Sequence, residues 1–238
     1  MPKLLKYLNL SRFKMIVTIH QPNYLPWIGL FSKVKHSDCF VILDTVKYSH
    51  KSVINRNKIR TFDGWQYLTI PTEKKYREKN IIDVKLPEKN DWIKKHWKII
   101  EANYKKTDNF ESYKDFGDIY KENFEFLWQI SEKIIRYLLK EFGINAEIKK
   151  ASELGINERS DKIDWNLEIC NTLNADRYLS GPDGRKYMDL DKFTKNDIKV
   201  EFFEFKHPVY KQRYPGFEPY MSAIDLLFNL GEKSKNLI

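Results

Sequence analysis

The sequence predicts an α/β protein: a Rossmann-like, mostly parallel sheet flanked by helices, with a helical insertion in the middle of the chain. Three observations carry this. Residues 15–44 read as strand, tight loop, helix, strand. Strand and helix patterns alternate again in the last third, and between the two lies a long stretch of helical periodicity.

The opening unit sets the rest. Residues 16–19 are a short, β-branched apolar run of the kind that fills a buried parallel sheet. His20, Gln21, Pro22 and Asn23 follow at once. Pro22 and Pro26 restrict the loop, and Pro26 suits the first turn of a helix. Trp27, Leu30, Phe31 and Val34 then recur at helical spacing. Residues 39–43 form a second apolar strand that ends in Asp44. A helix between buried strands is a βαβ unit, and such sheets bind ligands outside the carboxyl ends of their strands. His20 and Asp44 both fall there.

Beyond Asp44, residues 45–64 are polar and rich in donors: Asn55, Arg56, Asn57, Lys58 and Arg60 suit a phosphate or carboxylate, in what reads as a connecting loop. Residues 65–70 and 81–86 each alternate like strands and are expected to pair with one another. The middle of the chain, about 91–143, reads as two or three helices. Asp91 opens 92–104, 110–116 is a short helix, and 119–142 is the longest periodic stretch, stopped by Gly143. His96, on a lysine-rich helix, is expected to be exposed.

In the last third, 146–149 is a brief strand, 163–173 a helix and 177–179 a strand. The last runs into Ser180, Gly181, Pro182, Asp183, Gly184, Arg185, Lys186 and Tyr187. Two glycines around a proline after a strand suit a loop whose N–H groups face an oxyanion. Residues 200–205 are a further strand, followed by His207 and Tyr210, then Glu218 and Tyr220, and a closing helix over 222–230. Residues 1–14 read as a basic extension upstream of a single domain over 15–231, and 232–238 as a tail.

Composition narrows the classes. Of 238 residues, 42% are hydrophobic and 32% charged, which suits a globular protein with a sizeable core. The net charge of +9 favours anionic partners, but the lysines are scattered and no nucleic-acid motif is present. Nucleic acid is therefore not favoured. Cys39 and Cys170 give no disulfide framework and read as core residues. No apolar run approaches the roughly 20 residues of a membrane span, and the expected location is cytoplasmic.

The stretches HQPNYLPW at 20–27, NRNKI at 55–59, SGPDGRKY at 180–187, and HPVY with FEPYMSAIDLLFNLG across 207–231 resemble the WbqC-like protein family. The resemblance runs from about 15 to 231. It implies a role in bacterial cell-surface polysaccharide (O-antigen, lipopolysaccharide) biosynthesis, with a nucleotide-linked sugar as the substrate class.

For the reaction, the inventory is informative. Metal-ligand spacing, the Gly-x-Gly-x-x-Gly fingerprint and the Gly-x-Ser-x-Gly elbow are all missing from the sequence. No metal and no tightly bound cofactor are expected. A histidine, an acidic partner and a donor-rich loop remain, which suits acyl or aminoacyl transfer to a sugar amine. The donor would be a thioester of coenzyme A or of an acyl or peptidyl carrier protein. His20 would act as base with Asp44 orienting it, and His207 and Glu218 are further catalytic candidates. N–H groups near Gly181 or Gly184 would hold the oxyanion, and Arg56, Lys58 and Arg60 the diphosphate. Gln21, Asn23, Tyr24, Trp27, Asn55, Asn57, Ser180, Asp183, Tyr187, Tyr210 and Tyr220 complete the expected binding set. Two alternatives stay open. One is a nucleotidyltransferase-like enzyme, whose His-x-Gly-His loop would have Asn23 in place of its second histidine. The other is a non-catalytic module that binds nucleotide or nucleic acid.

Overall fold

The computed structural model describes residues 15–89, 91–156 and 162–238, and the basic opening segment lies outside them. The first unit forms as its sequence dictates: β1 (Ile16–His20), α1 (Ile28–Lys35) and β2 (Cys39–Ile42). Among the described residues, these strands join β5 (Glu147–Lys150), β6 (Arg177–Ser180) and β7 (Lys199–Phe202) in a five-stranded, all-parallel sheet of order β5-β2-β1-β6-β7. The α/β, Rossmann-like expectation holds. Val17, Thr18 and all of β2 are buried, as a strand covered on both faces requires. The buried Thr18 hydroxyl donates to the Leu179 carbonyl across the sheet.

The strand order positions the site. From β1 the chain winds outward through β2 to β5, then returns to the other side of β1 and continues through β6 to β7. The direction of winding therefore reverses between β1 and β6. A crevice opens at the carboxyl edge of a sheet at such a switch point, and here His20 and Ser180 flank it.

Two expectations fail on the following segment. Residues 65–70 do not pair with 81–86. Instead β3 (Arg56–Thr61) and β4 (Gly64–Thr69) form an antiparallel hairpin with Lys58 opposite Tyr67. The donor-rich stretch is thus a strand, with Ile59 facing the core while Arg56 and Lys58 face out. Ile81–Asp83 is a single 3-10 turn, though Ile81, Val84 and Leu86 are buried.

The middle is helical as expected, but in different pieces. α2 (Asp91–Tyr104) is followed by a 3-10 run, Phe110–Lys121, and then by α3 (Leu127–Glu141). The periodic stretch 119–142 breaks before Leu127, where the Gln129 side chain accepts the N–H groups of Glu125 and Phe126 and closes the helix start. Gly143, with φ at +68°, ends α3. α4 (Lys162–Thr172) precedes β6. α5 (Leu190–Thr194), absent from the sequence reading, is capped by Asp189, and α6 (Ala223–Leu230) closes the fold.

His96 is buried, contrary to expectation. It bonds the Tyr24 hydroxyl at 2.8 Å, and Tyr24 in turn bonds the Tyr120 hydroxyl at 3.0 Å. Burial holds His96 down at about 4, against the ordinary 6.5. In the unfolded chain the same ring takes a proton near 6.5, so the stability it contributes is complete above that pH and is lost as pH falls towards 4. The loss amounts to roughly 3 kcal/mol for such a shift. Thermal melts between pH 7 and 4.5 should show this decline, and His96→Gln should make it shallower. An unchanged slope in His96→Gln would place the acid sensitivity elsewhere.

Candidate functional site

Loop 21–27 is held from three sides. The Tyr24 N–H donates to the Val53 carbonyl, Asn57 Nδ2 to the Leu25 carbonyl at 2.6 Å, and the Ala223 N–H to the Pro26 carbonyl at 2.7 Å. The Trp27 ring then lies back over Gly29, where any β-carbon would overlap it. Trp27 also touches Phe205 edge-on and Tyr220 at a tilt, with ring centroids 5.3 and 5.7 Å away.

Two hollows meet at this indole. The larger, about 390 Å³, lies over the switch point and is lined by His20, Lys33, Ser180, the Gly181–Gly184 turn, Tyr187 and Trp27. The smaller, about 350 Å³, is lined by Lys51, Arg56, Asn57, Lys58, Tyr67 and Tyr220, again with Trp27. In the smaller hollow the Arg56 guanidinium lies 4.3 Å from the centre of the Tyr67 ring and Lys58 Nζ 3.9 Å from that of Trp65. Tyr220 is 57% exposed.

His20 Nδ1 lies 3.0 Å from the Gln21 carbonyl oxygen. A carbonyl only accepts, so Nδ1 carries the proton and Nε2 the lone pair. Burial, then the charge of Lys33, lower His20 to about 4, against the opposing pull of the Gln21 bond. The ring is neutral at pH 7. Lys33, on α1, is buried and lowered to about 8 by that burial. Sequence reading missed Lys33 by treating the lysines as surface. Its signal was its place three residues after Leu30, among the apolar residues of α1.

Other expected residues do different work. Asp44 does not orient His20: its buried carboxylate accepts from the Ser152 hydroxyl at 2.6 Å and the Ser152 N–H at 3.0 Å. His207 is not a free base. Its Nδ1 donates to the Pro208 carbonyl at 2.8 Å and its Nε2 accepts the Tyr220 N–H at 3.1 Å. It thereby holds Tyr220 in the left-handed region, with φ at +60°. The Gly184 N–H is spent on the Gly181 carbonyl within a 3-10 turn, so it is no oxyanion donor. Asp183, at the rim, pairs with Lys186 at 2.6 Å. Asn23 and Asn55 are buried, with carboxamide oxygens that lack a protein partner. With Asn23 enclosed, the position of the second histidine of a nucleotidyltransferase loop does not reach the hollow. Tyr24 is a core residue.

Arg60 and Tyr210 are also interior. Asp225, at the start of α6 and fully buried, accepts from the Tyr210 hydroxyl at 2.7 Å, from Gln212 Nε2 at 2.8 Å, and from Tyr104. Gln212 accepts from Arg60 Nε and clasps the backbone N–H and carbonyl of Glu218. Arg60 also bonds the carbonyls of Thr61, Gly64 and Pro215, which uses four of its five N–H donors on the protein, and its burial keeps it from a diphosphate. Arg213 donates to the Asn103 carbonyl.

A parallel sheet with a ligand-sized crevice at its carboxyl switch point defines the class: an α/β protein with a binding cleft at one sheet edge. The chain belongs to the WbqC-like protein family, whose model matches residues 21–237. It is 32% identical over 225 residues to "Uncharacterized protein Rv1507c" of Mycobacterium tuberculosis (strain ATCC 25618 / H37Rv), covering 93% of this chain and 96% of that protein. No solved structure matches it. Among the described residues, no helix is long and apolar enough to cross a membrane, and no cluster of histidine, cysteine or carboxylate side chains is arranged to hold a metal.

Replacing Asp225 with Ala takes the acceptor from three buried side-chain donors, Tyr210, Gln212 and Tyr104, and leaves the desolvated Arg60 without that charge. Chemical denaturation should show a loss on the order of 3 kcal/mol, with the smaller hollow losing ligand as the 207–220 segment loosens. A stability within 0.5 kcal/mol of the unaltered protein, a difference of the order of surface changes, would mean the carboxylate is not the tie described.

Proposed function

We propose that this protein is a transferase acting on a nucleotide-linked sugar, moving an acyl or aminoacyl group from a thioester to a sugar amine. The observation that carries the reading is the meeting of the two hollows at Trp27. One presents cations and aromatic faces and the other a neutral histidine, as a substrate with a nucleotide at one end and a reacting sugar at the other requires.

In the smaller hollow, Arg56 and Lys58 rest on aromatic rings and, among the described residues, form no ion pair with a carboxylate. Both are free to meet a diphosphate, with Lys51 beside them. Trp27 and Tyr220 offer faces on which a base or sugar ring can stack. In the larger hollow, His20 Nε2 accepts the proton of the attacking amine as the new N–C bond forms. The C–S bond of the thioester breaks, and the proton passes to the departing thiolate. Coenzyme A and carrier-protein thioesters are both anionic donors that the +9 chain would attract. The family resemblance supports cell-surface polysaccharide as the destination of the product.

The test pairs calorimetric binding of a uridine diphosphate amino sugar with thiol release from acetyl-coenzyme A. Wild type is expected to bind the sugar nucleotide and release thiol. The double substitution Arg56→Ala/Lys58→Ala should weaken binding at least tenfold, and His20→Ala should keep the binding while release falls about 100-fold or more. Absence of heat or thermal shift with any nucleotide-linked sugar would overturn the reading.

A further inference from the structure

The larger hollow contains a charge that the chain itself does not balance. Lys33 is only 5% exposed, and its Nζ makes one hydrogen bond, 3.2 Å to the Ile19 carbonyl oxygen. An ammonium carries three donors, so that bond leaves two without use. Among the described residues no carboxylate pairs with it. The one acidic residue of the hollow, Asp183, is turned to Lys186 at the rim. A buried, uncompensated cation is costly. The fold tolerates it at the wall of a cavity, beside the neutral His20 and the buried hydroxyl of Ser180.

We propose that Lys33 anchors an anionic group of the ligand, a carboxylate or a phosphate, in the larger hollow that His20 and Ser180 also line. This deepens the reading above and rests on it for the rest of the ligand, but the anion site itself is testable alone. It also gives the site an order of events. Lys33 is the second cause, after burial, of the low proton affinity of His20. An anion paired with Lys33 offsets that repulsion, so His20 becomes a stronger base when the hollow fills. A sugar bearing a carboxylate, or a phosphate next to the acceptor, is the substrate feature this selects.

The experiment follows the His20 ring by NMR at pH 7 while inorganic phosphate or acetate is added at constant ionic strength, with chloride as control. Wild type and Arg56→Ala/Lys58→Ala, which leaves the larger hollow intact, are expected to show a saturable shift, and Lys33→Met to bind at least about tenfold more weakly. Whichever anion saturates at lower concentration tells phosphate from carboxylate. Lys33→Met should also melt at or above the wild-type temperature, because an apolar chain of similar length replaces a desolvated charge. Three results overturn the inference: no saturable shift, an equal shift with chloride, or retention in Lys33→Met. A Lys33→Met that melts well below wild type also overturns it, by making Lys33 a structural clamp on Ile19. A protein that binds the sugar nucleotide while neither anion moves His20 loses this inference and keeps the transferase reading. Anion binding without sugar-nucleotide binding does the reverse.

Discussion

The Asp225 carboxylate sits where no solvent reaches, and burial pushes its pKa up despite the donors around it. A lone carboxylate in such surroundings would cost several kcal/mol, so its donors have little freedom to leave. Tyr210 and Gln212 are fixed by it, Gln212 fixes Glu218, and Arg60 fixes the β3–β4 turn to Pro215. Through these bonds an irregular segment, 207–220, is tied to α6 and to the β3–β4 hairpin. Tyr220 and the outward face of the hairpin form one wall because of this. Asp225 lines neither hollow, yet the smaller one takes its shape from it.

The opposite wall depends on a steric constraint rather than a charge. Trp27 can fold back onto α1 only because Gly29 has no side chain. That conformation puts the indole between the hollows, against Phe205 on one side and Tyr220 on the other. The reversal of winding between β1 and β6 supplies the floor of the larger hollow. Sheet topology, one glycine and one buried acid thus shape the two hollows that meet at Trp27.

Much of this was legible in the chain. The β1–α1–β2 unit, the strand ends carrying His20 and Ser180, and Trp27 all follow from apolar runs and proline placement. The β3 strand was not legible, because Arg56, Asn57, Lys58 and Arg60 hide a two-residue alternation behind uniformly polar side chains, and only Ile59 is apolar. Tyr24, Tyr210 and His96 were misjudged for a related reason. Each looks like a binding or surface residue until the partner that satisfies its polar atom is known. Lys33 erred in the other direction, since a lysine is assigned to the surface by habit and nothing local to it reports the cavity above. Hydrogen-bond partners drawn from 70 or more residues away, as His96 has in Tyr24, leave no periodic trace.

The two histidines that follow strands show how the distinction works. His20 ends β1 and His207 lies in the irregular stretch beyond Phe202, where β7 stops short of the expected residue 205, yet in both an adjacent carbonyl takes the Nδ1 proton. Residue type and the bond of Nδ1 do not separate them. What does is the second nitrogen. In His207 it accepts the N–H of Tyr220, so the ring is closed at both ends and its work is to hold that residue in a left-handed turn. In His20 no such donor is bonded among the described residues, and the lone pair of Nε2 remains on a ring that lines the hollow and lies close enough to Lys33 to feel its charge. One histidine is therefore spent on shape and the other is left with a proton to accept. The polar residues that follow the strands of this chain thus serve different ends, and only the partner of each atom tells them apart.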